Sequence, residues 1–275
     1  MNRVRIVTDS TAYIAKDYLK DNGIHSVPLS VIFQGNASNE GFPGEFDSFY
    51  EKLKASQDFP TTSQPSIQAF YDVFKPAIDN NEEIIAIVLS AKLSGTYNSA
   101  MAAAQMCETD KISVVDSETC GPNLKVLVEL ANQLSIEGKT KDEIVDTINM
   151  EKKRTGINLT VGTLEYLKRG GRLSTTQAFI GTLLNIKPII ALIDGKLEPI
   201  DKVRGKGKAI EAMIANIPQE VKKINICQIQ NMEEAEEVKT ILQTRFPKAE
   251  ISLNELGPVV GSHLGPKALG ICYKW

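Results

Sequence analysis

Neutral polar side chains, mostly hydroxyls, gather in two short stretches of the sequence. The first, LSGTYNSA, holds Ser94, Thr96 and Asn98 directly after an apolar run that is typical of a buried strand. The second, TTSQPS, starts with Thr61 and Thr62 and precedes a helical pattern. Neutral donors near helix starts suit an anionic oxygen ligand such as a carboxylate or a phosphate. The residue types therefore predict a site for the acidic end of a ligand.

Some of these hydroxyls are needed for helix capping. Serine, threonine and aspartate are favoured caps, each contributing about 1 kcal/mol. We expect Ser63 or Ser66 to cap the helix after TTSQPS, which leaves Thr61 and Thr62 surplus. The hydroxyls after Leu93 also outnumber what one cap requires.

A histidine and two arginines are further candidates. The chain has two histidines, of which His25 is expected at a surface or sheet edge. His263 lies in LGPVVGSHLGPKALG, where glycines and prolines impose a tight backbone, so it is the candidate for function. Arg172 and Arg204 lie beside glycines, which let a ligand or a partner approach closely. They are therefore candidates for contact with an anion or an acidic partner.

Composition and missing motifs exclude several other classes of protein. Lysine and arginine number 31 against 34 aspartates and glutamates, so the net charge of −3 argues against a nucleic-acid binder. The four cysteines lack CxxC spacing and are expected to be reduced thiols, with no metal and no cofactor. The sequence has no GxxxxGK[ST], GxSxG or HExxH motif. No apolar run approaches the length of a membrane span, so a soluble, cytoplasmic protein is expected.

The elements that must position these residues alternate between strand and helix in the first half. Apolar runs in VRIVTDS, SVPLSVIF, EIIAIVLS and KISVVDS predict strands, and the segments between several of them are helical. This alternation predicts a Rossmann-like parallel sheet covered on both faces. Ligands bind such sheets beyond the carboxyl ends of the strands, where the polar residues of three of these runs fall.

The second half has a different pattern. A helix is expected across TTQAFIGTLLN, and Asp194-Gly195 joins two apolar runs as a β-hairpin signal. The remaining runs predict an α/β domain with a mixed sheet. We place the domain boundary near Gly156, which divides the chain into residues 1–155 and 156–275.

Eight motifs together resemble those of the DegV family, in order and spacing from residue 3 to the C-terminus. They are VTDSTA, TTSQPS, LSGTYNSA, VVDS, YLKRGGRLS, the KP before a strand, VRGKGKA and GPVVGSHLGPKALG. Members of this family look like two-domain α/β proteins that hold one long-chain fatty acid between the domains. They present it to a fatty acid kinase that makes an acyl-phosphate for phospholipid synthesis. The resemblance thus implies a lipid-binding carrier, not an enzyme, that could touch a membrane surface transiently.

The resemblance also implies roles for individual residues. Thr62 and Ser94 would hydrogen-bond the carboxyl group, and His263 would reach it from the second domain. Thr61 and Asn98 are added as ligand-binding candidates. Apolar residues that could line the tunnel, or equally belong to an ordinary core, include Phe179, Ile180, Leu183, Leu184 and Ile186.

Arg172 and Arg204 would lie near the mouth of the tunnel, where the kinase docks and the acyl-phosphate appears. Two features depart from or qualify the family pattern. Lys267 occupies the position of a usual glycine, and an acidic residue, Glu40, precedes Gly41.

Two other functions compete with the carrier. An acyl hydrolase or transferase would use Ser94 as nucleophile and His263 as base, although no elbow motif or orienting carboxylate is evident. A nucleic-acid-binding regulator would rest on local basic runs alone, against an acidic total.

Overall fold

The computed structural model describes residues 3–173 and 186–275. Its strands are β1 (Arg5–Asp9), β2 (His25–Val27), β3 (Ser30–Phe33), β4 (Asn36–Asn39), β5 (Thr61–Ser63), β6 (Ile84–Val88), β7 (Ile112–Asp116), β8 (Thr155–Thr160), β9 (Ile186–Ile193), β10 (Lys196–Arg204), β11 (Lys223–Gln228), β12 (Glu250–Glu255) and β13 (Leu269–Lys274). Its helices are α1 (Lys16–Asn22), α2 (Asp47–Ala55), α3 (Ile67–Asp79), α4 (Thr96–Met106), α5 (Pro122–Ile136), α6 (Lys141–Glu151), α7 (Glu165–Gly170), α8 (Lys206–Ala215), α9 (Met232–Arg245) and α10 (Pro258–Leu264).

A parallel sheet organises the first half. Its strand order is β2-β1-β6-β7, and every pair is parallel. All five residues of β6 are buried apolar side chains, as expected for a strand covered on both faces. The predicted Rossmann-like parallel sheet is therefore confirmed.

A mixed sheet organises the second half. Its order is β10-β9-β8-β13-β11-β12, with β11 and β12 parallel and the other pairs antiparallel. The hairpin at Asp194-Gly195 joins β9 and β10 as predicted. The α/β fold class with a mixed second sheet is confirmed, whereas the boundary at residues 155 and 156 stays a prediction.

A third, antiparallel sheet was not expected from the sequence. SVPLSVIF reads as one strand, but it forms β2 in the parallel sheet and β3 in a small sheet of order β4-β3-β5. Pro28 separates the two, because proline has no N–H to donate to a ladder. The prediction of a single strand was wrong, and β5 places Thr62 beside Val31 of β3.

The apolar core joins the two halves. One continuous cluster includes Ile85 and Leu89 from the first half and Ile157, Leu159 and Val259 from the second. Two smaller clusters fill the outer faces of the sheets, beneath α3 and α4 on one side and beneath α8 and α9 on the other. The halves are thus packed along a shared apolar face, which also borders the site.

Within residues 3–173 and 186–275, no helix combines the length and the hydropathy that crossing a bilayer requires.

Candidate ligand-binding site

Four separate elements bring polar side chains to one cavity. Thr62 comes from β5, Ser94 from the loop between β6 and α4, Arg172 from the segment after α7, and His263 from α10. The cavity has a volume of about 200 Å³. Four of the seven predicted site residues therefore share one space.

The closest polar contact in the cavity joins the two halves of the chain. Thr62 Oγ1 lies 2.8 Å from His263 Nε2. Thr62 is held in place because its strand pairs with β3, and His263 because it lies on the second turn of α10. The pair is a hydrogen bond between residues that are 201 positions apart.

His263 is neutral over the physiological range. Burial, followed by the nearby positive charge of Arg172, lowers the pKa of the imidazole to about 4. Its Nδ1 atom is buried and has no hydrogen-bond partner among the described residues. Gly170 packs against this atom, and a Cβ at that position would collide with the ring.

Ser94 lies in a loop that is positioned by strand-end carboxylates. Asp9 at the end of β1 accepts the Leu89 N–H at 2.7 Å, and Asp116 at the end of β7 accepts the Ala91 N–H at 3.1 Å. Ser94 itself contacts the Thr96 hydroxyl, with 2.9 Å between the two oxygens. The shared rim predicted for the strand ends is present, but its carboxylates fix the backbone of the loop that carries Ser94.

Gln64 belongs to the cavity although the sequence did not single it out. Its amide lies against Gly95, where a side chain would overlap it, and its Nε2 is 3.4 Å from Ser99 Oγ. Ser66 Oγ caps α3 by accepting the Ala69 N–H at 3.1 Å, as expected. The signal that the sequence offered for Gln64 was its place in the TTSQPS motif, two residues after Thr62.

Apolar side chains from both halves line the rest of the cavity: Leu29, Leu89, Leu93, Ile157, Leu159, Leu197, Val259, Val260 and Leu264. A second cavity of about 40 Å³ shares Cys120, Ile157 and Leu159 with the first, so one apolar wall runs past both. Burial raises the pKa of the Cys120 thiol to about 12, which keeps it protonated.

The tunnel residues expected from the sequence are not those of this wall. Phe179, Ile180, Leu183 and Leu184 lie outside the described residues, as does the helix expected across TTQAFIGTLLN. Ile186 is described and does not line the cavity.

Three predicted site residues lie away from the cavity. Thr61 is exposed, because neighbouring residues of a strand face opposite sides and Thr62 takes the inner one. Asn98 is exposed on α4, two positions after the buried Thr96 and therefore on another face. Arg204 is exposed at the end of β10.

The geometry does not form the pair required by a serine hydrolase. The Ser94 hydroxyl contacts Thr96, whereas His263 Nε2 contacts Thr62. No described carboxylate orients His263 through Nδ1. In the described part of the chain, no group of three or more His, Cys, Asp or Glu side chains is arranged to hold a metal ion.

Comparisons with known proteins agree on one family. A family model described as "Uncharacterised protein, DegV family" matches residues 3–274. A DegV domain-containing protein of Halalkalibacterium halodurans is 36% identical over 280 residues, covering 99% of each chain. Two solved structures each cover 100% of both chains with a TM-score of 0.89.

The first of these structures is described as fatty acid binding of a DegV family protein from Thermus thermophilus, and this chain is 31% identical to it. The second is described as DegV, a fatty acid binding protein from Bacillus subtilis, at 33% identity. By its family match and by these relatives, the chain belongs to the DegV family.

Proposed function

We propose that this protein binds one long-chain fatty acid between its two halves and presents the carboxyl group to a fatty acid kinase. The carboxylate occupies the polar end of the 200 Å³ cavity, near Thr62, Ser94 and His263. The acyl chain follows the apolar wall towards the second cavity. The protein is then a carrier, and its partner performs the phosphoryl transfer.

The observation that carries this proposal is the chemistry of the cavity. Neutral donors, with one arginine at the edge, occupy one end, and aliphatic side chains form the remaining wall. Hydroxyl donors to a charged acceptor contribute about 1.5–3 kcal/mol each. Ten buried methylenes contribute about 8 kcal/mol, which corresponds to micromolar affinity before the costs of ordering.

The relatives support the same ligand class. The DegV proteins of Thermus thermophilus and Bacillus subtilis are described as binding fatty acids, and they share the fold over the full chain. The kinase partner follows from the family resemblance, and the exposed Arg172 and Arg204 are the groups we assign to its docking face.

A paired substitution on β5 tests the ligand site. Thr62→Val keeps the shape of the side chain and removes the hydroxyl, so fatty acid affinity should fall about tenfold. Thr61→Val makes the same change on the outer face of the strand and should leave the affinity unchanged. Displacement of a fluorescent fatty acid from delipidated protein measures both.

Equal affinity in the two variants and the unsubstituted protein would contradict the assignment of Thr62. A urea unfolding curve for each variant shows whether any loss of affinity arises in a folded protein. Threonine and valine have similar strand propensities, so both variants should unfold at urea concentrations close to that of the unsubstituted protein.

A further inference from the structure

Side chains from the first half of the chain hold the segment that leads into α10. The Tyr50 hydroxyl donates to the carbonyl oxygens of Leu256 at 2.6 Å and Gly257 at 3.0 Å. Glu40 Oε1 accepts the backbone N–H of Val259 at 2.8 Å. Tyr50 and Glu40 are buried, and each lies more than 200 positions from its partner.

These contacts supply partners that α10 lacks on its own. The first N–H groups of a helix have no acceptor within that helix, and Pro258 has no N–H to satisfy. Val259 and Val260 are the next two donors along the first turn. Glu40 Oε1 accepts the first, and the Tyr13 hydroxyl lies near the second.

Glu40 is itself fixed from the side of the parallel sheet. Its Oε2 accepts the Ser10 hydroxyl at 2.6 Å, and the Tyr13 hydroxyl donates to Oε1 at 3.4 Å. Ser10 Oγ also accepts the N–H of Leu29, a residue of the cavity wall, at 3.1 Å. The carboxyl group thus connects the first half directly to the first turn of α10.

The position of this acid is energetically costly. Burial, the largest cause, raises the pKa of Glu40 to about 7, and the charge of the neighbouring Asp9 acts in the same direction. In the described part of the chain, no lysine or arginine donates a hydrogen bond to Glu40. A carboxyl group that is buried despite this energetic cost is expected to have a structural role. The contact of Glu40 with Val259 indicates that this role is to orient α10.

We propose that Glu40 is a positioning residue for the head-group site, holding α10 so that His263 meets Thr62. This inference rests on the proposed function for its effect on lipid, but its geometric content is independent of any ligand. Tyr13 assists by donating its hydroxyl to Glu40 Oε1 at 3.4 Å.

Only one turn of α10 separates His263 from the residue that Glu40 contacts. Val259 and His263 are four residues apart, so they lie one above the other on the same face of α10. The helix has seven residues, and a shift of its first turn therefore moves the imidazole. If the contact is lost, His263 moves away from Thr62 and becomes more hydrated.

The test compares three variants of delipidated protein. Glu40→Ala removes the acceptor of the Val259 N–H. Glu40→Gln keeps an amide oxygen for it and serves as the conservative rescue. Glu45→Gln is the matched control, because the exposed Glu45 accepts the N–H of the nearby Phe42, at 3.0 Å, and lies outside the contact with α10.

Two readouts are recorded: the NMR titration of the imidazole resonances and the affinity for palmitate. In Glu40→Ala we expect the His263 midpoint to rise from about 4 towards 6.5 and palmitate affinity to fall about tenfold. Removing a negative charge would by itself lower the midpoint, so a rise identifies displacement. Glu40→Gln and Glu45→Gln should resemble the unsubstituted protein, and the His25 signal is the internal reference.

The outcomes separate this inference from the proposed function. Unchanged His263 signals and unchanged palmitate affinity in Glu40→Ala would overturn the inference and leave lipid binding intact. If the unsubstituted protein binds no palmitate, the proposed function fails while the His263 titration still decides the role of Glu40. If Glu40→Ala does not fold, Glu40→Asp shortens the side chain and withdraws the acceptor from the Val259 N–H, and a His263 titration and a palmitate affinity identical to those of the unsubstituted protein would overturn the inference.

Discussion

Thr62 and His263 can share a hydrogen in two ways, and the choice decides what a ligand meets. The imidazole is neutral, so it has one N–H and one lone pair. If Nε2 carries the hydrogen and donates to Thr62 Oγ1, the threonine hydroxyl is free to donate to a carboxylate. In the opposite arrangement the threonine hydroxyl donates to His263 Nε2, and its hydrogen is not available to a carboxylate. The first arrangement fits an anionic ligand, and it requires the position of His263 to be fixed.

We predict that Arg204 contributes to docking of the kinase and not to binding of the fatty acid. It is exposed and does not line the cavity, so Arg204→Ala should leave fatty acid affinity unchanged. In an assay with a fatty acid kinase and ATP, kcat/KM for acyl-phosphate formation should fall about tenfold, which corresponds to about 1.4 kcal/mol. Lys208→Ala, a nearby exposed cation, is the control.

Loss of lipid affinity in Arg204→Ala would contradict its place outside the ligand site. An unchanged rate of acyl-phosphate formation would contradict its role in docking.

Two elements depend on carboxyl groups for their positions. The loop after β6 is fixed by Asp9 and Asp116, and α10 is fixed by Glu40. Burial raises the pKa of Asp9 to about 6 and that of Glu40 to about 7. The two buried acids lie close enough that the charge of Asp9 affects Glu40. Both elements carry residues of the candidate site, so in the proposed function each acid would act on the ligand through another group.

Glu40→Gln should change how stability depends on pH. The ordinary pKa of a glutamate is near 4.5 and that of buried Glu40 about 7, so the folded state binds more protons than the unfolded state between these values. The contribution of Glu40 to stability therefore falls as pH rises through this window. Glutamine has no such cost, so its advantage in unfolding free energy should grow between pH 5 and pH 8, by on the order of 3 kcal/mol.

Urea unfolding of both proteins at pH 5, 6, 7 and 8 gives this difference. Burial also lowers the pKa of His263, which makes its own contribution rise between about pH 4 and 6.5, but that effect is common to both proteins and cancels. Asp9, Tyr13 and Tyr50 face Glu40 in both proteins as well. A difference that is the same at pH 5 and pH 8 would contradict the account.

Across the whole molecule, local apolar patterns predicted the two main sheets. The arrangement of the candidate site depends instead on contacts between residues that are far apart in the sequence. Alternating apolar runs were enough for the two main sheets, and Asp194-Gly195 for a hairpin. The small sheet was not predicted, because its strands are short and the apolar residues on either side of Pro28 look like one continuous strand. Thr62, Ser94, Arg172 and His263 were found through motifs, but Glu40, Tyr13 and Tyr50 act on partners far away in sequence, and no spacing reveals that.

Lys267 illustrates the limit in one residue. It has φ of 60°, the left-handed region that glycine adopts without a steric cost. The family resemblance implies a usual glycine at this position, and the backbone of Lys267 has the conformation that glycine favours. The sequence showed the lysine but not the conformation in which it is held.

In the proposed function, one fatty acid lies between the two halves, with its carboxyl group at Thr62 and His263. This can be measured by extracting the purified protein with organic solvent and quantifying the extract by mass spectrometry. We expect about one long-chain fatty acid per protein molecule, restored by added fatty acid after delipidation. An extract without fatty acid, together with no uptake of added fatty acid, would contradict it.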